Sequence, residues 1–119
     1  MKKIIIAGLI IIAAATNANA QDKSITSDSE KIVLENNKVK VTQYVSIPKG
    51  NVCGKGVHSH AAHLTVILTD AEVEVTLPDG KKVQQKAPAG TTFWSEAETH
   101  EVKNIGASPI KIEIIETKN

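Results

Sequence analysis

Four histidines carry the chemistry this chain can do. His58, His60 and His63 stand within Val57-His58-Ser59-His60-Ala61-Ala62-His63, and His100 stands within Thr99-His100-Glu101. His58 and His60 are two positions apart. On a strand that spacing puts both side chains on one face, about 6.5–7 Å apart at the backbone. Two imidazoles so placed can converge on one ion, with metal–nitrogen bonds of about 2.0–2.1 Å for zinc. The same spacing also arises on solvated strands, so a His-x-His pair alone leaves the choice open. His63 has the opposite parity and would need a bulge to join the pair.

The elements that must position these histidines read as strands. Val39, Val41, Val45 and Ile47 alternate with Lys40, Thr42, Tyr44 and Ser46. Val73, Val75 and Leu77 alternate with Glu72, Glu74 and Thr76, and Ile110, Ile112 and Ile114 alternate with Lys111 and Glu113. A period of two predicts strands with one buried face and one wet face, the apolar residues inward. Turn residues separate the runs at Asn36-Asn37, Pro48-Lys49-Gly50-Asn51, Pro78-Asp79-Gly80, Pro88-Ala89-Gly90 and Gly106-Ala107-Ser108-Pro109. No segment after residue 20 shows a helical period. The pattern predicts an all-β antiparallel barrel or sandwich over residues 31–119.

The first twenty residues are of another kind. Met1-Lys2-Lys3 precedes an apolar run from Ile4 to Ala15, and Ala18-Asn19-Ala20 ends it. These are the parts of a secretory signal peptide cleaved after Ala20. The run is short of the roughly 20 residues of a spanning helix. The expected product starts at Gln21, is periplasmic or secreted, and has no membrane segment. Gln21 to Glu30 is polar and patternless, a flexible leader. The net charge of +1 becomes −1 once Lys2 and Lys3 leave, and the charges are scattered. That balance offers no nucleic-acid or membrane footprint.

Every basic residue besides histidine is lysine, so the chain has no arginine fork for a carboxylate or phosphate ligand. Cys53 is the single cysteine and excludes an intrachain disulfide. It fits three roles: a thiolate that joins or guards the histidines, a small buried apolar residue, or a link between two chains. Phe93 and Trp94 are neighbours on a predicted strand and face opposite ways, one towards the core.

Several of these stretches together resemble the small single-domain cupins. They are Gly56-Val57-His58-Ser59-His60, the strand pair around Pro78-Asp79-Gly80, and Pro88-Ala89-Gly90. Trp94-Ser95-Glu96-Ala97-Glu98-Thr99-His100-Glu101-Val102-Lys103-Asn104-Ile105-Gly106 completes the set. The resemblance runs from about Lys38 to Glu116. It implies a jelly-roll barrel with His58 and His60 as metal ligands from a first motif and His100 from a second. It also implies an acid four or five residues after His60, where this chain has Leu64 and Thr65.

Three arrangements follow. His63 takes the vacant place, or His58, His60 and His100 form an open three-His site, or the histidines only hydrogen-bond in the barrel mouth. An imidazole set suits Fe, Zn, Ni or Cu better than Mn or Mg. Glu98, Glu101 and Asn104 are candidates to orient the ligands. The implied function is a metal-dependent reaction on a small neutral molecule, of dioxygenase or isomerase type. The alternative is a non-catalytic module that captures a small molecule or a metal. The resemblance also implies a homodimer.

Overall fold

A computed structural model describes residues 25–118. The expected signal peptide and the first residues of the leader lie outside the described residues. Among the described residues the chain forms nine strands: β1 (Ser29–Glu35), β2 (Val39–Ser46), β3 (His58–His60), β4 (His63–Ile67), β5 (Ala71–Thr76), β6 (Lys82–Ala87), β7 (Thr92–Ser95), β8 (Glu98–Asn104) and β9 (Ile110–Thr117). They form a five-stranded sheet in the order β1-β2-β9-β4-β7 and a four-stranded sheet in the order β3-β8-β5-β6. All pairings are antiparallel. The two sheets make the jelly roll that the alternating pattern predicts.

β9 is the spine of the core. Ile110, Ile112 and Ile114 are buried and meet Val52, Cys53, Ile67, Ala71 and Val102. Burying a side chain of this size contributes about 1.5–3 kcal/mol. β5 follows its predicted alternation too, with Val73 and Val75 packed against this cluster.

β2 departs from its predicted orientation. Thr42 and Ser46 are its buried residues, and Tyr44 packs on the core, while Val39, Val41 and Val45 are only half-buried. The register explains the inversion. Thr42, Tyr44 and Ser46 lie opposite Ile114, Ile112 and Ile110, so β9 supplies the apolar surface that β2 meets. The valines find their neighbours on the outer face instead. There Leu34, Val41, Ile115, Leu64 and Trp94 line up in register across all five strands.

The leader is also more structured than the sequence predicts. Ser29 and Glu30 begin β1. Asp28 accepts hydrogen bonds from Ile47 N (3.0 Å) and Asn51 N (2.8 Å), pinning the start of the β2–β3 loop. A carboxylate can satisfy two backbone donors this way without any strand pattern of its own.

Asn104, expected near the histidines, is a structural hub. Its side chain is fully buried. Nδ2 donates to Ser108 O (2.9 Å) and Ser46 O (3.4 Å), and Oδ1 accepts from Gly106 N (2.9 Å). Its backbone joins the same loop, with Lys49 N donating to Asn104 O (2.8 Å) and Asn104 N to Gly50 O (2.9 Å). Asn104→Ala removes the side-chain partner of Ser46 O, Ser108 O and Gly106 N, at a cost of about 2–3 kcal/mol. The urea midpoint should fall accordingly, and an unchanged midpoint would remove Asn104 from this role.

Candidate metal centre

The pairing of β3 with β8 builds the centre. Its register sets His58 opposite His100 and His60 opposite Glu98. Opposite residues share a face with Cβ atoms about 4.5–5.5 Å apart. The rings follow, with centroids 4.7 Å apart for His58 and His60, 4.9 Å for His58 and His100, and 5.6 Å for His60 and His100.

The loop before β3 adds a fourth group. Val52 N donates to Val102 O (3.0 Å), and Asn51 bridges Lys103, so this segment runs along β8. That places the Cys53 Sγ 3.2 Å from His58 Nε2 and 3.5 Å from His100 Nε2. One donor atom from each of Cys53, His58, His60 and His100 lies within 4.8 Å of every other.

Local contacts fix which ring atoms face inward. His58 Nδ1 donates to Gly56 O (2.9 Å), which leaves its Nε2 lone pair towards Cys53. Glu98 Oε1 lies 3.7 Å from His100 Nδ1, a carboxylate behind the imidazole that orients Nε2 towards the cluster. His60 Nε2 is buried without a partner among the described residues. A stranded ring nitrogen costs about 1–3 kcal/mol, which a bound ion at that atom would offset.

Protonation favours ligation by the rings. Burial, with His58, His63 and His100 adding to it, pushes His60 down to about 4. Burial also lowers His100, against an opposing pull from Glu98. Both rings are neutral lone-pair donors at pH 7. Burial, and then Glu98, pushes the Cys53 thiol up to about 12, so the metal-free residue is an S–H.

His63 lies beside this group, its ring centroid 5.0 Å from that of His60, but is not one of its four donors. Its Nδ1 donates to Ala61 O (2.7 Å), and its Nε2 lies 3.4 Å from Glu98 Oε2. It turns inward without a bulge, because the chain leaves one sheet after His60 and enters the other at His63.

Leu64 and Thr65, at the positions where the resemblance places an acid, diverge. Leu64 is in the outer row, and Thr65 is buried facing the cavity. The carboxylate beside the histidines is instead Glu98, from β8. Glu101 has Lys103 Nζ at 3.9 Å as its partner.

A cavity of about 870 Å³ lies between the sheets, within the upper range of small-molecule sites. Ile110, Ile112, Ile114, Val73 and Val75 make its apolar wall, and Cys53, His63, Glu98 and His100 make a polar patch. Phe93 faces this cavity and Trp94 faces out, where its Nε1 donates to Glu96 Oε2 (2.7 Å). Both are about half-exposed, so neither is the core residue the sequence suggests. Cys53 and Glu98 are the contributors that sequence reasoning left undecided. The signals were Cys53 preceding His58 by five residues and Glu98 preceding His100 by two.

No family model matches the sequence. No curated protein matches it either. Solved structures do. A cupin domain from Bordetella pertussis Tohama I superposes with a TM-score of 0.70 at 24% identity, over 78% of this chain and 95% of that one. A protein with a double-stranded β-helix domain from Klebsiella pneumoniae gives 0.59 at 21% identity, over 78% and 79%. The polyketide cyclase RemF from Streptomyces resistomycificus gives 0.60 at 13% identity, over 79% and 67%. The chain has the cupin fold.

The buried neutral His60 predicts a pH dependence. Unfolded, the ring takes a proton near 6.5; folded, only near 4. Between those values the unfolded chain binds more protons, so the metal-free protein loses stability as pH falls. Its urea midpoint should be lower at pH 5 than at pH 7, and His60→Gln should shrink that difference. A midpoint that holds or rises at pH 5 would contradict the buried neutral ring.

Proposed function

We propose that this chain is an exported cupin that binds a transition-metal ion through His58, His60 and His100 and receives a small neutral molecule in the adjoining cavity. The observation that carries this reading is the convergence of donor atoms around a buried, unpartnered His60 Nε2. Imidazole donors suit Fe, Zn, Ni or Cu. When bound, such an ion supplies Lewis acidity or a place for redox chemistry.

The chain's own residues have separate tasks. Three imidazoles hold, and Glu98 aligns His100 from behind. His63 and Glu98 face each other at the cavity wall, next to any molecule inside. The isoleucine and valine wall takes an apolar body and excludes water. With no arginine in the chain, nothing offers a bidentate grip on a carboxylate, which favours a neutral molecule.

Two classes of activity fit this arrangement. One is a dioxygenase- or isomerase-like reaction, and RemF, a polyketide cyclase, shows that the fold hosts enzymes. The other is a non-catalytic module that holds metal or small molecule. The thiol of Cys53 among the donors favours it, since a filled coordination shell leaves no place for substrate.

Purified protein, grown with Fe, Zn, Ni and Cu supplied, should carry about one equivalent of one of them, and the His58→Ala/His60→Ala double variant should carry none. A wild-type protein that stays metal-free under supply would contradict the reading. Conversion of a small molecule by the loaded protein would separate enzyme from module.

The amino-terminal signal supports export to the periplasm or medium, and the outer row from Leu34 to Trp94 offers a face on which two copies can pair. The exported form should begin at Gln21, and light scattering should give twice the mass of one chain. An uncleaved intracellular monomer would count against both.

A further inference from the structure

We propose that Cys53 is itself a ligand: its thiolate closes a four-donor site with His58, His60 and His100, and the site prefers a thiophilic ion such as zinc over iron. This rests on the histidine site proposed above and goes one step past it.

The position of the sulfur is imposed by the backbone. The loop carrying it is stitched to β8 by the Val52 N to Val102 O bond and by the two backbone bonds between Asn104 and the residues Lys49 and Gly50. Its far side is anchored by Asp28. Gly54, next in the chain, has φ +144°, and a Cβ there would lie 2.9 Å from His58 Cγ. A side chain at that position would push the ring away, so glycine lets the loop and the ring close together. Asn51 Oδ1 accepts from Gly56 N (3.3 Å), and Gly56 O in turn orients His58.

The spacings suit coordination. In a tetrahedral zinc site, bonds of about 2.3 Å to sulfur and 2.0–2.1 Å to nitrogen put the two ligand atoms about 3.5 Å apart. Cys53 Sγ lies 3.2 Å from His58 Nε2 and 3.5 Å from His100 Nε2. Both edges are in place before any ion arrives. The fourth donor, His60, already has a buried nitrogen that lacks a partner among the described residues.

Loading is a proton exchange. The S–H bond breaks, a metal–sulfur bond forms, and one proton leaves to solvent for each divalent ion taken up. The resulting set of three neutral imidazoles and one thiolate is softer than an imidazole–carboxylate set, which is the ground for the preference over iron. Four protein donors also close the shell, as in sites that hold metal rather than transform substrate. Cys53 and His100 line the cavity, whereas His58 and His60 do not. A molecule in the cavity therefore meets the sulfur and the imidazole before the ion.

Cobalt(II), spectroscopically visible where zinc is silent, tests this directly on the purified protein. The wild type should show a thiolate-to-cobalt charge-transfer band in the near ultraviolet, together with the strong visible bands of a tetrahedral ion. Cys53→Ser should lose the charge-transfer band. X-ray absorption on the zinc-loaded wild type, which needs no variant to fold, should show one sulfur at about 2.3 Å. Visible cobalt bands without charge transfer, or a zinc shell of nitrogen and oxygen alone, would overturn Cys53 as a ligand and leave the histidine site standing. Absence of cobalt uptake would overturn both.

Discussion

The antiparallel register of β3 on β8 is the constraint on which the centre depends. It sets His58 against His100 and His60 against Glu98. A slip of one residue would send these side chains to the opposite face. Several contacts oppose that slip. β8 is also paired with β5, with the loop carrying Cys53, and through Asn104 with the chain just before β9. β3 is only three residues long and could not hold its register alone. It borrows the register of β8.

That arrangement brings ionisable groups together at an electrostatic cost. Rings about 5 Å apart cannot all carry charge, and partial burial removes the water that would screen them. The chain resolves this by keeping rings neutral, as the lowered His60 and His100 show. Neutral rings in turn expose lone pairs, and that of His60 Nε2 has no partner among the described residues. Glu98 sits at the junction, with His100 on one side and His63 on the other.

Much of the fold was legible because β5 and β9 bury one face against the barrel interior. There the alternation of Val73 and Val75, and of Ile110, Ile112 and Ile114, maps directly onto burial. β2 was misleading for a physical reason: its neighbour β9 supplies the core side chains, so small polar residues can face inward and valines can face out. Sequence period shows that two faces differ but not which is inside when the partner strand is unknown. The histidine pair was legible from spacing, and His100 from the cupin resemblance. His63, Cys53 and Asn104 were not, because their roles depend on long-range placement: a strand that changes sheets, a loop laid along β8, and turns drawn onto one amide. The leader's Asp28 belongs with them, a single carboxylate whose two partners are about twenty residues away.

The cupin fold by itself leaves function open, since one fold hosts many chemistries. What distinguishes this chain is the donor set: three imidazoles and a thiol beside an apolar cavity, with the nearest carboxylate placed behind a ring. Anomalous diffraction from a metal-soaked crystal at the absorption edge of the ion tests that most directly. The account predicts one peak within about 2.0–2.3 Å of ring nitrogens of His58, His60 and His100 and of Cys53 Sγ. A crystal with no peak there, or with the ion bound elsewhere in the molecule, would contradict it.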